Sequence, residues 1–261
     1  MSDNDDCVME MRTVQSNIIK ILFDSMKDIL VDVNIVFDEA GLKIIEMDGS
    51  QVALVSLKLY AENFDYYYCE KRMVVGVNML NLYKLIKTVS IGDTITFSIL
   101  RNCEDKLKIL MENNEKNSST EFMYKFIDMD EKILTIPDVN FDSVITMPSS
   151  DFQRYCKYHF EISKTLTIRS KNGVLIFESE GYFSSRKDVI GEVKGGLNFA
   201  KNDTEVYEKF DLKYLNLFTK ATGLCSIMEL YLKKDYPLVL VYNAGSLGSA
   251  SLVIAPKVYE D

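Results

Sequence analysis

The run Lys84-Leu85-Ile86-Lys87-Thr88-Val89 has a counterpart in Leu217-Phe218-Thr219-Lys220-Ala221-Thr222, and Lys87 and Lys220 hold matching places 133 residues apart (220 less 87). A second pair of landmarks, Gly41 and Gly173, each standing in a hairpin signal after a helical stretch, is 132 residues apart (173 less 41). Two independent landmarks with nearly the same spacing point to a chain of 261 residues built twice on one plan. Both runs lie in stretches with helical spacing of apolar residues, which cover about 15–30, 78–90, 149–162 and 211–222. The first, for example, carries Ile18, Ile19, Leu22, Met26 and Ile29 on one side. Cap signals precede the others: Asn78 before Met79, Ser149-Ser150-Asp151 before Phe152, and Asp211 before Leu212.

Outside the helical stretches the pattern changes to alternation over four to eight residues. It is seen in Asn34–Phe37, Val52–Leu59, Thr94–Ile99, Leu107–Leu110 and Leu166–Arg169. These segments predict strands, and Glu39-Ala40-Gly41, Ile91-Gly92-Asp93 and Lys171-Asn172-Gly173 predict the turns that bound them. The fold class expected is α+β: two similar domains, each of helices packed on antiparallel sheets. The stretch 126–142 joins them. It is acidic and contains Pro137, which pushes the preceding residue out of the helical region, so it reads as an extended linker.

With 47% hydrophobic and 26% charged residues, the chain lies in the ordinary globular range, which excludes disorder, collagen and coiled coil for its bulk. No run reaches the roughly 18 apolar residues of a membrane span. The acidic start MSDNDDCVME lacks the apolar core of a signal peptide. Five cysteines, at 7, 69, 103, 156 and 225, show no zinc-like spacing and suit a reducing compartment. His159 is the single histidine, and no metal or cofactor is expected. Cys156 and His159, three residues apart, are the one pair resembling a nucleophile with its base; both residue types are more often core or surface residues, so no enzyme is expected.

A net charge of −9 argues at first against nucleic acid. Placing the charges on elements changes this. Each helical stretch carries two cations three or seven residues apart, a spacing that returns to one face: Lys20 and Lys27, Lys84 and Lys87, Arg154 and Lys157, Lys213 and Lys220. Together the four stretches carry +3, leaving −12 on the rest of the chain. One such pair would be ordinary solvated decoration. Four pairs on four helices of a duplicated chain suit sequence-independent contact with phosphates.

The chain also resembles the proliferating cell nuclear antigen family of DNA sliding clamps along almost its whole length. The resemblance rests on Val14-Gln15, Met47-Asp48-Gly49-Ser50-Gln51-Val52-Ala53-Leu54-Val55, Gly76-Val77-Asn78-Met79 with Lys84–Lys87, and Ile136-Pro137. It continues through Met147-Pro148-Ser149 with Phe152, Tyr214–Thr222, Asp235-Tyr236-Pro237-Leu238-Val239 and Ala255-Pro256-Lys257. It implies a ring of three chains whose helices line a hole around double-stranded DNA, with the helix cations facing the duplex. It further implies a polymerase processivity factor that recruits a DNA polymerase, a clamp loader and other replication or repair proteins. Their peptides would enter a pocket walled by Met47, Gln51, Val52, Leu54, Leu134, Ile136, Pro137, Tyr236, Pro237, Ala255 and Pro256.

Ring closure, on the same resemblance, uses the edge strand Ser119–Phe126, with Phe122 and Tyr124 at the subunit interface, against the region near 183–196. The domains implied are 9–125 and 143–261, with residues 1–8 as a disordered extension. The chain would work as a homotrimer in the nucleus, or at a viral replication site, without membrane contact. A subunit of a heterotrimeric checkpoint-type clamp, or a processivity factor of lower order, is the alternative. Departures from the family pattern include Gln51 in place of a histidine, Tyr236 beside Pro237, and Ile21 and Glu161 where relatives are often basic.

Overall fold

The computed structural model describes residues 6–131 and 134–257. The described chain runs β1 (Cys7–Thr13), α1 (Ser16–Met26), β2 (Asp32–Asp38), β3 (Gly41–Met47), β4 (Ala53–Tyr60), β5 (Tyr66–Cys69), β6 (Met73–Asn78), α2 (Met79–Ile86), β7 (Thr94–Leu100), β8 (Cys103–Asn113) and β9 (Ser118–Lys125). It continues with β10 (Ser143–Pro148), α3 (Ser149–Phe160), β11 (Thr165–Lys171), β12 (Val174–Glu180), β13 (Ser185–Gly191), β14 (Asn198–Asn202), β15 (Val206–Asp211), α4 (Leu212–Phe218), β16 (Ile227–Leu232), β17 (Leu238–Ala244) and β18 (Gly248–Ile254). Each half therefore reads strand, helix, five strands, helix, three strands. This is the duplicated α+β plan that the repeated landmarks predict.

The chain forms two compact units. The first runs to Glu46, resumes over Ser56–Leu134 and includes Ala244–Ala250; the second comprises Met47–Val55, Thr135–Asn243 and the chain from Ser251. The changeover between Leu134 and Thr135 lies inside the expected linker, but the exchange of 47–55 and 244–250 was not foreseeable from a linear reading. β4 and β18 are each divided between the units along their length. Cys7 and Val8 are buried in β1, so the strand begins inside the segment expected to be a disordered extension; residues 1–5 lie outside the described residues.

In the first unit, a five-stranded antiparallel sheet has the order β5-β1-β7-β8-β9, and β2 pairs with both β3 and β6. α1 turns Ile19, Leu22, Phe23 and Met26 inward and lies beside α2, which packs on β6 and buries Met79, Leu82 and Ile86. Gly41 opens β3 at φ 132°, and an added Cβ there would overlap the carbonyl oxygen of Leu59.

In the second unit, a four-stranded antiparallel sheet has the order β13-β12-β11-β15, and β10 pairs with β14 and β16. α3 packs on β10, β11 and β12 and lies beside α4. Phe152 of α3 meets Phe177 of β12 edge to face at 6.1 Å, and Phe218 of α4 meets Tyr242 of β17 at 5.5 Å. The β11–β12 hairpin turns on Asn172 (φ 50°) and Gly173 (φ 73°), two left-handed residues whose twist matches that of the strands they join.

Candidate functional site

The helices begin largely as the sequence predicts. The Asn78 side chain accepts from the Asn81 amide at the start of α2, and that of Asp211 accepts from the Lys213 amide at the start of α4. α3 differs: Ser149 is its first residue and Pro148 the cap, so its start rests on proline geometry, without a side-chain cap. α4 also ends early, at Phe218, and a 3-10 turn over Thr219–Gly223 carries Lys220.

The eight cations fall into distinct environments. Lys84, Lys87, Arg154, Lys157, Lys213 and Lys220 are exposed. Arg154 lies 2.9 Å from Asp151 one turn earlier and over the Tyr155 ring, while Lys213 lies over the ring of Tyr214. Lys20 is half-buried and donates through Nζ to the Val89 carbonyl at 3.0 Å. Lys27 departs from the expected stripe. Its side chain is only 13% exposed, and Nζ sits 3.2 Å from Asp24 and 2.7 Å from Asp28, above the Tyr83 ring. Burial opposes its charge, but its hydrogen bonds to Asp28 and Asp24 outweigh burial and raise its pKa. Lys27 is thus a locally neutralised anchor, because one helical turn brought two carboxylates along with it.

Between α3 and α4 lies an open concavity of about 470 Å³ lined by Ser150, Gln153, Arg154, Lys157, Tyr158, Asn216 and Thr219. Gln153 donates to the Thr219 carbonyl at 3.0 Å, and Asn216 donates to the carbonyls of Leu212 and Cys156 at 2.9 and 3.3 Å. These amides fix the two helices side by side with their cations outward. Charge counting missed Ser150, Gln153 and Asn216; their signal was polar residues at helical spacing on the cationic side.

The second group of predicted residues centres on the loop after β3. Asp48 is buried and receives five hydrogen bonds. Its Oδ1 accepts from the amides of Val52 (2.8 Å) and Ala53 (2.7 Å); Oδ2 accepts from the Ser50 amide (3.0 Å), the Ser50 hydroxyl and the Tyr214 hydroxyl (2.6 Å). Burial alone would raise its pKa, but these hydrogen bonds hold the carboxyl well below the usual carboxylate range. The loop is tight enough to put Gln51 in the left-handed region at φ 59°.

Around this loop the wall residues are not plain core. Val52, Leu54, Tyr236, Pro237, Ala255 and Pro256 are half-buried, and Met47, Gln51, Ile136 and Pro137 are exposed. The Ala255 amide bonds the Val52 carbonyl at 3.0 Å, joining two wall segments, and Tyr236 meets Phe141 edge to face at 6.0 Å. Leu134 falls in the first unit, where it lines a cleft of about 450 Å³ with Val36, Ile45, Arg72 and Glu131.

β9 and β13 are both edge strands of their sheets. β9 leaves Phe122 half-buried and Met123 exposed. Tyr124, expected at the subunit interface, is half-buried, and its hydroxyl accepts from the Asn78 amide at 2.9 Å, tying β9 to the start of α2. Cys156 is fully buried, which pushes its thiol far above the ordinary range, and the buried His159 ring is engaged by Ser179 and Asp188. A buried, protonated thiol beside an occupied imidazole is not an activated nucleophile.

Family models for the N-terminal and C-terminal domains of proliferating cell nuclear antigen match residues 8–134 and 135–257. The chain is 41% identical over 258 residues to the probable DNA polymerase sliding clamp 1 of Paramecium bursaria Chlorella virus 1, covering 97% of this chain and 98% of that protein. It is 29% identical over 259 residues to the proliferating cell nuclear antigen of Chaetomium thermophilum, covering 97% of this chain and all of that one.

Proposed function

Because the chain belongs to the proliferating cell nuclear antigen family, we propose that three copies close head to tail into a ring around duplex DNA. The protein is a sliding clamp and polymerase processivity factor, and it has no catalysis of its own. The observation that carries this reading is the match of both halves, end to end, to the two domains of one clamp family. The geometry agrees with it. Lys84 and Lys87 on α2, Arg154 and Lys157 on α3, and Lys213 and Lys220 on and just after α4 offer cations to passing phosphates, and Lys20 and Lys27 anchor α1 within the first unit. Such contacts are weak and indifferent to sequence, as sliding requires, and topological linkage supplies the persistence.

The wall formed by Met47, Gln51, Val52, Leu54, Ile136, Pro137, Tyr236, Pro237, Ala255 and Pro256 accepts peptides from a polymerase, a clamp loader and repair proteins. Partly exposed apolar side chains on a hydrogen-bonded loop are the form of a preorganised peptide site. β9, through Phe122, pairs with β13 of the next copy; a contact that closes after three copies leaves neither β9 nor β13 unpaired. The relatives indicate a nuclear or viral replication site, and the 41% match to a chlorella-virus clamp favours the viral one.

The deciding experiment is polymerase extension on a primed circle with and without the protein, run beside light scattering. A particle of about three chains that lengthens the products supports the reading. A strict monomer at micromolar concentration, or a particle that forms only with a second gene product, would overturn the homotrimer.

A further inference from the structure

His159, near the end of α3, is completely buried, and what surrounds it is polar. Nδ1 lies 2.7 Å from the Ser179 hydroxyl of β12, and Nε2 lies 2.9 Å from Asp188 Oδ2 of β13, too oblique for a straight hydrogen bond. Asp188 is held a second time by Arg186 of the same strand, through Nε at 2.6 Å and a terminal nitrogen at 3.0 Å. The Arg186 guanidinium in turn lies 5.0 Å over the ring of Tyr158, on α3. The Phe177 ring of β12 stands edge-on to the imidazole at 6.3 Å. One carboxylate therefore serves an imidazole from the helix and a guanidinium from its own strand, and so ties the edge strand β13 down onto α3.

Ser179, His159 and Asp188 have the composition of a hydrolytic triad, but the arrangement cannot act as one. Ser179 is buried in an inner strand between β11 and β13, and Asp188, which a triad would reserve for orienting the imidazole, is bound by Arg186 as well. The cluster holds the strand in place.

We infer that this clasp makes the β13 edge acid-sensitive: protonation of His159 loosens β13 from α3 and opens the ring at the contact that β13 makes with the next copy. The inference rests on β13 being a closing edge. The charges that act on the ring are Asp188 and Arg186, both from β13. Its own helix brings Cys156, buried one turn earlier, and Tyr158 beneath Arg186; β12 brings the neutral Ser179 and Phe177. Burial lowers the affinity of His159 for a proton, Asp188 opposes this, Arg186 adds to it, and the net direction is down. The sign follows. A histidine that takes its proton less readily folded than unfolded contributes stability that is present above the ordinary histidine range and is lost as pH falls through it. In structural terms, a completely buried ring would gain a charge, it would share Asp188 with the Arg186 guanidinium, and the Ser179 hydroxyl would have to turn from donor to acceptor toward Nδ1.

The test is amide exchange of residues 185–191, corrected for the intrinsic effect of pH, together with particle mass by light scattering, at about pH 7.5 and about pH 5.5. The wild type is expected to lose protection in β13 selectively, while β11 keeps its own, and to dissociate at the lower pH. His159→Leu, which fills the site without a titratable group, is expected to be level in both readouts. Arg186→Gln removes the competing cation and is expected to move the transition to lower pH or abolish it. A wild type whose β13 is equally protected at both pH values overturns the inference, as does a pH response that survives unchanged in both variants. A wild type already monomeric at pH 7.5 would instead sink the ring reading, and the exchange of β13 would still decide the clasp.

Discussion

Asp48 shows how one side chain can set the shape of a surface it does not form. With five donors on two oxygens, it fixes the path from Met47 to Ala53, and Tyr214 delivers one of those donors from α4. Tyr214→Phe removes the hydroxyl that bonds both Asp48 and Ser50 and is expected to cost about 1–2 kcal/mol in urea unfolding. Asp48→Asn turns an all-acceptor group into one that must donate, and is expected to cost about 2 kcal/mol and weaken peptide binding, read by fluorescence anisotropy. The pH dependence has a definite sign. The native carboxyl is depressed, so its contribution is full above the unfolded carboxylate range and disappears as pH falls through and below it. Asp48→Asn should therefore flatten the acid limb of the stability profile. Among the cations, Lys84→Ala with Lys87→Ala should lower the salt slope of DNA binding by about 1 for each phosphate contact removed. Lys27→Ala, its charge already balanced by Asp24 and Asp28, should leave that slope unchanged and loosen α1 instead.

At the scale of elements, what could be read from sequence was what local physics specifies. Asn78 and Asp211 announced their helices because a short polar side chain before an apolar stripe has few other uses. Asn172-Gly173 announced a hairpin because few residue pairs tolerate two left-handed conformations in succession. Contacts between residues far apart in sequence were not legible. Nothing local predicts that Tyr124 would reach back to the Asn78 amide, whereas the capture of Lys27 by Asp24, three residues earlier, and by the adjacent Asp28 lay within local helical spacing, and counting cations alone passed over it. β9 alternates only between half-buried and exposed, over Glu121–Lys125, and has no buried position, so the family resemblance was what marked it as a strand. Gly41 gives the clearest test of backbone requirement: at φ 132°, with the Leu59 carbonyl against it, Gly41→Ala should cost ~2 kcal/mol or more in thermal unfolding, by strain and overlap together.

At the scale of the whole molecule, the two edges assigned to ring closure are unlike: β9 belongs to the first unit and β13 to the second. A chain with both can be joined twice, and a chain with one spoiled can be joined only once. Phe122→Asp, which puts a charge into the centre of the β9 contact, is therefore expected to leave monomers in light scattering, with short open species appearing only on mixing with wild type, while unit folding, followed by circular dichroism, is retained. The consequence reaches past the variant itself. In a mixed population each closed ring needs three sound members, so intact rings fall as the cube of the sound fraction. Equal amounts of wild type and variant would leave about one-eighth of the rings uninterrupted. A recessive-looking change on one strand thereby becomes a dominant one, by stoichiometry alone.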